Sequence, residues 1–203
     1  MTTRRLVLFS GGLKSTFLAA LAKREGEAVL LHFLLYDEDI GREEGARLVS
    51  TALGFEHILF KDLRTAPPLK EVLNKMLYLV LQALPFAKEY YCAEIYYGLS
   101  KDDDPKIVRV VEPFAKQLND LLVLAQPLYD GRGGWLGGVE LGTPLRRLDR
   151  ARVIRLGREF DIPWELTQSC KHSTAHCGKC KGCIRRRKAF LREGHVDPTI
   201  YTE

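Results

Sequence analysis

With 203 residues, 46% hydrophobic and 28% charged, the chain has the composition of a soluble globular protein and the length for one packed domain with a small appendage. The formal net charge of +5 owes much to the stretch Lys179 to Arg192, which permits a polyanionic partner without requiring one. No apolar run reaches the ~18 residues of a membrane span; the longest candidate, Met76 to Phe86, is short and interrupted by Gln82 and Pro85. The arginines and short apolar run at the start lead straight into a glycine turn, which reads as a first strand rather than an export signal, so a cytoplasmic protein without disulfides is expected. Scarce Asn, Gln and Met beside plentiful Leu, Ala, Arg and Glu hint at a thermophilic source.

In chain order, Arg5 to Phe9 predicts a first strand, and Lys14 to Arg24, with Phe17, Leu18 and Leu21 at helical spacing, a first helix. Ala28 to Leu35 predicts a second strand, Gly41 to Leu53 a helix stopped by Gly54, and His57 to Phe60 a third strand. After Pro67-Pro68 comes a long apolar helix, Leu69 to Leu84, then a strand over Ala93 to Tyr97 and a helix over Pro105 to Leu122. Leu124 to Leu145 is glycine-rich and strand-like, with DGRGG as a hairpin turn. Asp149 caps a helix expected through Phe160. Strands that are apolar throughout, alternating with helices at short intervals, predict an α/β fold with a parallel sheet covered on both faces. The composition shifts at Thr167 toward Cys, His, Lys and Arg, so residues 1–165 read as the α/β domain and residues 166–203 as a small cysteine-bearing tail.

The stretch LFSGGLKST, residues 8–16, joins the first strand to the first helix. Amides at a helix N-terminus and the helix dipole favour an anion there, Gly11 and Gly12 permit close backbone approach, and Ser10, Ser15 and Thr16 add hydroxyls. A Walker loop, GxxxxGK[ST], fails on both glycines: Leu13 and Leu8 stand in their places. The other candidate is the PP-loop, SGGxDS, which grips the pyrophosphate that leaves when ATP adenylates a substrate. SGGLKS matches it at Ser10, Gly11, Gly12 and Ser15 and departs from it at Lys14.

Four of the five cysteines fall in SCKHSTAHCGKCKGC, at Cys170, Cys177, Cys180 and Cys183. Four thiolates at this turn-forming spacing can surround one tetrahedral zinc, and a closed four-sulfur site has no open position for substrate, so the zinc is expected to be structural. Gly178 and Gly182 are expected to relax the backbone around the ion. His172 and His176 are left out of the ligand set. A redox role for the CxxC pairs remains open, and Cys92 reads as buried core.

Loop and tail together resemble the 7-cyano-7-deazaguanine synthase (ExsB-like) family. The resemblance rests on FSGGLKST, HFLLYDEDIGREEGARLVSTALG, LGTPLRRLDRARVIRLGREFDIPWELTQSC and CGKCKGCIRRRKAFLREGHVDPT, with zinc cysteines followed by CxxRxxAF and DPT as its most specific part. It implies a Rossmann-like sheet, ATP as substrate, Mg²⁺ and a structural Zn²⁺. The implied reaction belongs to queuosine biosynthesis: ATP activates 7-carboxy-7-deazaguanine as an acyl adenylate, ammonia displaces AMP, and the amide is activated again and dehydrated to the nitrile. On this resemblance Ser10, Gly11, Gly12, Lys14, Ser15 and Thr16 bind the nucleotide, Lys14 and Ser15 are the candidates for catalysis, and Cys170, Cys177, Cys180 and Cys183 hold the metal.

The chain departs from the family pattern at Lys14, where the family has Asp in its pyrophosphate and magnesium site. Lys14 could place its ammonium on a phosphate and partly replace Mg²⁺, or block the metal. Asp37-Glu38-Asp39 stand where the family has Gln-Arg-His; lining the site, they would repel a carboxylate and favour a cationic or amine-bearing substrate. Val72-Leu73-Asn74 keep at most Asn74 of a Pro-x-Arg-Asn motif, the KDDDP stretch lacks the family's substrate loop, and Arg150 and Arg152 replace a Lys and a Glu. The expectation is therefore an ATP-dependent ligase-like enzyme that activates a small-molecule carboxylate with an altered substrate site, requires no nucleic acid and admits a homodimer. An inactive nucleotide- or partner-binding paralogue and a tRNA-thiolating PP-loop enzyme are the alternatives; the latter would need a catalytic cysteine, for which Cys92 is the candidate.

Overall fold

A computed structural model of the chain describes residues 3–35, 40–55, 58–63, 72–125, 138–170 and 175–202. Five strands, β1 (Arg4–Leu8), β2 (Glu27–Leu34), β3 (Leu59–Asp62), β4 (Glu94–Tyr96) and β5 (Glu140–Gly142), form one sheet in the order β3-β2-β1-β4-β5. Every neighbouring pair is parallel. The helices are α1 (Leu13–Glu25), α2 (Ile40–Ala52), α3 (Val72–Glu89), α4 (Pro105–Ala125), α5 (Arg150–Gly157) and α6 (Lys181–Arg192). This is the expected Rossmann-like α/β architecture.

Why β1 is apolar at successive positions follows from where its side chains go, since neighbours along a strand face opposite sides. Val7 and the following Phe9 pack with Phe17 and Leu18 of α1, Val49 of α2, Val153 and Ile154 of α5, and Phe190 of α6. Leu6 and Leu8 pack on the other face with Leu79, Val80 and Ala83 of α3 and Ala115 and Leu118 of α4. The strand order runs outward in opposite directions from the β1–β4 pair, and such a switch point leaves a crevice beyond the C-terminal ends of the strands. The loop after β1 stands at that crevice.

Several boundaries differ from expectation. α3 continues through Pro85 to Glu89, and α4 contains Pro113 and runs to Ala125. Each proline removes one hydrogen bond, to the carbonyl four residues earlier; those residues, Leu81 and Arg109, are exposed, so water can replace the lost donor. Asp149 caps α5 through its carboxylate, which accepts from the Arg152 amide at 2.8 Å, but the α-helix ends at Gly157 and Arg158–Phe160 tighten into a 3-10 turn. The third strand begins at Leu59; His57, the Pro67-Pro68 pair and the DGRGG turn lie outside the described residues. No helix among the described residues is long and apolar enough to cross a membrane. The tail shares the main core, through Ala189 and Phe190 of α6.

Candidate nucleotide cleft and metal centre

The loop between β1 and α1 is closed from within. Gly11 has a φ of 66°, and a Cβ there would lie 3.0 Å from the Ala46 backbone of α2, so only glycine fits without strain. The Ser15 hydroxyl lies 3.1 Å from the Ser10 amide nitrogen and 3.0 Å from the Gly12 carbonyl. The Thr16 hydroxyl donates to the same carbonyl at 3.0 Å, and Thr16 is fully buried. Of the six residues expected to meet a nucleotide, Ser10, Gly12, Lys14 and Ser15 line a cleft of about 420 Å³. Gly11 and Thr16 do not line it; they brace the loop from behind.

Lys14 is not presented as a free charge. Its ammonium pairs with the Asp103 carboxylate. Asp103 also accepts from the Ser100 amide at 2.9 Å and from Arg150 at 2.8 Å, while Arg150 pairs with Asp102 at 2.8 Å. Burial alone would raise the Asp103 carboxyl; the Lys14 charge and hydrogen bond and the Arg150 charge outweigh it and hold Asp103 at about 2. Burial draws the Lys14 ammonium below the ordinary lysine value, against the pull of Asp103. The turn after β4 thus supplies two acids to the base of the loop, a partnership the run KDDDP did not announce.

The four tail cysteines converge as expected. Their sulfurs all lie within 4.8 Å of one another, with Cys180 3.5 Å from Cys183 and 4.0 Å from Cys170. Sulfurs about 2.3 Å from a central ion form a tetrahedron with edges of roughly 3.8 Å, so the set can hold a metal such as zinc. Burial and the neighbouring Cys180 push the Cys183 thiol up to about 12, which a bound cation would reverse. His176 is engaged elsewhere: its Nε2 accepts from the Ser169 amide at 3.0 Å. His172 lies outside the described residues. Gly178 turns the backbone with a φ of 70°, as expected. Gly182 does something else: it sits in α6, where a Cβ would lie 2.1 Å from the Ser169 carbonyl oxygen, so its bare backbone lets the helix lie against the Cys170 segment.

The CxxR and DPT motifs meet in a buried clamp. Arg186, 1% exposed, donates to both Asp197 oxygens at 3.0 and 3.1 Å, to the Trp164 carbonyl at 2.7 Å and to the Thr167 hydroxyl at 2.5 Å. Tyr201 donates to Asp197 at 2.6 Å. The clamp holds α6 and the chain end on the segment entering the tail. That segment reaches the phosphate loop, where the Gln168 amide donates to the Gly11 carbonyl at 2.8 Å.

Gln168, Ser169 and Cys170 accordingly form part of the cleft wall, with Lys181 and Arg185 of α6. Five cations line the cleft: Lys14, Lys75, Arg150, Lys181 and Arg185; no carboxylate does among the described residues. The acidic stretch Asp37-Glu38-Asp39, expected to favour a cationic substrate, lies outside the described residues, as do the side chains of Val72-Leu73-Asn74. Cys92 is fully buried among apolar side chains, away from the cleft, and burial pushes its thiol up to about 12. It is a core residue and not a nucleophile.

A family model for "Queuosine biosynthesis protein QueC" matches residues 61–194. Proteins named 7-cyano-7-deazaguanine synthase align along the whole chain. The one from Anaeromyxobacter sp. strain Fw109-5 is 30% identical, covering 100% of this chain and 97% of that protein, and the one from Myxococcus xanthus is 29% identical over 100% and 99%. Among solved structures, NMN synthetase from Francisella tularensis superposes with a TM-score of 0.54 at 14% identity, covering 96% of this chain and 79% of that one. The U34-tRNA thiolase NcsA from Methanococcus maripaludis gives 0.50 at 13%, over 95% and 68%. At these identities the two structures share the fold alone. The family match and the full-length relatives agree with the loop, the sheet and the four-cysteine tail: the chain belongs to the QueC family, as a divergent member.

Proposed function

We propose that this chain is an ATP-dependent carbon–nitrogen ligase of the 7-cyano-7-deazaguanine synthase type, which adenylates a carboxylate for attack by ammonia or an amine. The observation that carries this is the phosphate loop at the switch point of the sheet, opening on a cleft with five cations and, among its described residues, no carboxylate. The Ser10 hydroxyl and the amides of Gly12 and Ser15 grip the β and γ phosphates, while Gly11, Thr16 and the Ser15 hydroxyl hold the loop's shape. Lys14 supplies a point charge to the leaving pyrophosphate, steadied by Asp103. The described residues do not fit a protein-held Mg²⁺: the nearby acids, Asp102 and Asp103, already carry Arg150 and Lys14. The four cysteines hold a structural zinc, which orders the wall containing Cys170 and takes no part in the chemistry.

In this reading residues 1–165 bind the nucleotide and residues 166–203 are the zinc-binding segment, in a cytoplasmic enzyme that requires no nucleic acid. ATP–pyrophosphate exchange over a panel of acids, with 7-carboxy-7-deazaguanine first, tests the proposal. Acid-dependent exchange is expected. ATP binding with no exchange for any acid would instead indicate a nucleotide-binding protein without turnover.

A further inference from the structure

Lys181 and Arg185 stand four residues apart on α6, so their side chains leave one face of the helix a turn apart, and both line the cleft. Their charged neighbours are matched within the protein: Arg186 by Asp197, Lys14 by Asp103, and Arg150 by Asp102 and Asp103. Lys181 and Arg185 have neither an ion pair nor a hydrogen bond among the described residues. Two unmatched cations in one concavity repel each other, and an anion between them relieves that repulsion.

We propose that Lys181 and Arg185 form a second anion-binding subsite, which holds an oxyanion carried by the acid that ATP activates. The inference rests on the reading of residues 10–16 as the nucleotide grip. A carboxylate loses its charge when it attacks the α-phosphorus and becomes an acyl adenylate, with pyrophosphate leaving. A group that stays on Lys181 and Arg185 through that step is therefore a different one, a phosphate or a second carboxylate. The substrate class is a dicarboxylic or phosphorylated acid, which sets this chain apart from the family reaction, since 7-carboxy-7-deazaguanine carries a single carboxyl group and no phosphate. Arg185 offers a planar fork that matches either oxyanion, and Lys181 a point charge beside it.

Titration calorimetry of inorganic phosphate into protein saturated with a non-hydrolysable ATP analogue tests the subsite. One phosphate per chain is expected to bind. The double variant Lys181→Ala, Arg185→Ala is expected to weaken that phosphate about tenfold or more while changing analogue affinity less than about twofold. Malonate in place of phosphate tells a carboxylate site from a phosphate site, the tighter ligand naming the group. The subsite is overturned by a loaded wild type with no phosphate site, by a double variant that binds phosphate unchanged, or by one that loses the analogue as strongly as the phosphate. Failure of the nucleotide reading looks different: the analogue does not bind the wild type at all. Phosphate titrated into the unloaded protein then decides the subsite alone, upheld if the double variant loses it and overturned if not. The unfolding midpoint of the double variant is expected to be no lower than the wild type's, since neither side chain has an ion pair or hydrogen bond among the described residues to lose.

Discussion

Lys14, in the first turn of α1, and Asp103, in the turn after β4, are 89 positions apart in sequence and form an ion pair at the edge of the phosphate loop. The same carboxylate holds Arg150, so one acid fixes two of the five cations that line the cleft.

If Lys14 serves the phosphates as proposed, that pair is expected to make nucleotide binding independent of a protein-held metal. ATP is expected to bind in the presence of a chelator, and Lys14→Ala to weaken it about tenfold or more. Lys14→Asp sets a second carboxylate against Asp103 and is expected to make affinity depend on Mg²⁺. Equilibrium binding of an ATP analogue with and without Mg²⁺ measures both, and an unchanged Lys14→Ala affinity would remove the ammonium from the site.

Acid should weaken the fold through Asp103. Its carboxyl is held at about 2, below the ordinary 3.8, so the folded state binds its proton less readily than the unfolded state. The stabilisation is complete above about pH 4 and is lost as the pH falls toward 2. Urea unfolding at steps across this range should show a smaller pH dependence in Asp103→Asn than in the wild type, and equal slopes would count against the pair.

Arg186 is the residue on which the tail depends most. Replacing it with Met leaves the largely buried Asp197 without its cation and the Thr167 hydroxyl without the donor it accepts from, while the Trp164 carbonyl keeps the Thr167 hydroxyl at 2.7 Å. Breaking a buried pair from one side costs about 3–5 kcal/mol. Arg186→Lys is expected to recover only part of this, because one ammonium cannot reach acceptors spread around a planar fork. Denaturant melts of both variants check the ranking.

Metal analysis is expected to give one zinc per chain, with Cys180→Ser lowering both metal content and stability. Chelation should also weaken ATP binding, because Gln168 carries the tail's order to Gly11. Calorimetry on stripped and zinc-restored protein reads this; full ATP affinity in stripped, folded protein would separate the two sites.

How far the sequence revealed these features depends on the range of each interaction. β1, the loop and α1 are legible because an apolar run, two glycines and a helical repeat are contiguous. The cysteine site is legible because its spacing is local. α6 was not read as a helix: its buried face is Cys183, Arg186, Ala189 and Phe190, so an arginine stands where an apolar residue would mark the stripe. Asp102 and Asp103 lie in the run KDDDP, to which the sequence assigned no role, and only the β1–β4 pairing, which joins distant segments, brings them to Lys14. Ser15 and Thr16 were read by their hydroxyls, yet both hydroxyls bond the Gly12 carbonyl, a geometry set by the loop's closure and invisible in composition.

The hydrogen bond from Gln168 to Gly11 has a consequence for biosynthesis. A ribosome makes the phosphate loop before the segment that braces it, and the two partners, Gly11 and Gln168, are far apart in sequence, so the loop waits for that later segment before it takes its final shape. A product cut short before Gln168 would carry the signature glycines without the bond that braces Gly11. Synthesis of the tail segment thus becomes a check on the shape of the loop, built from one amide and one carbonyl.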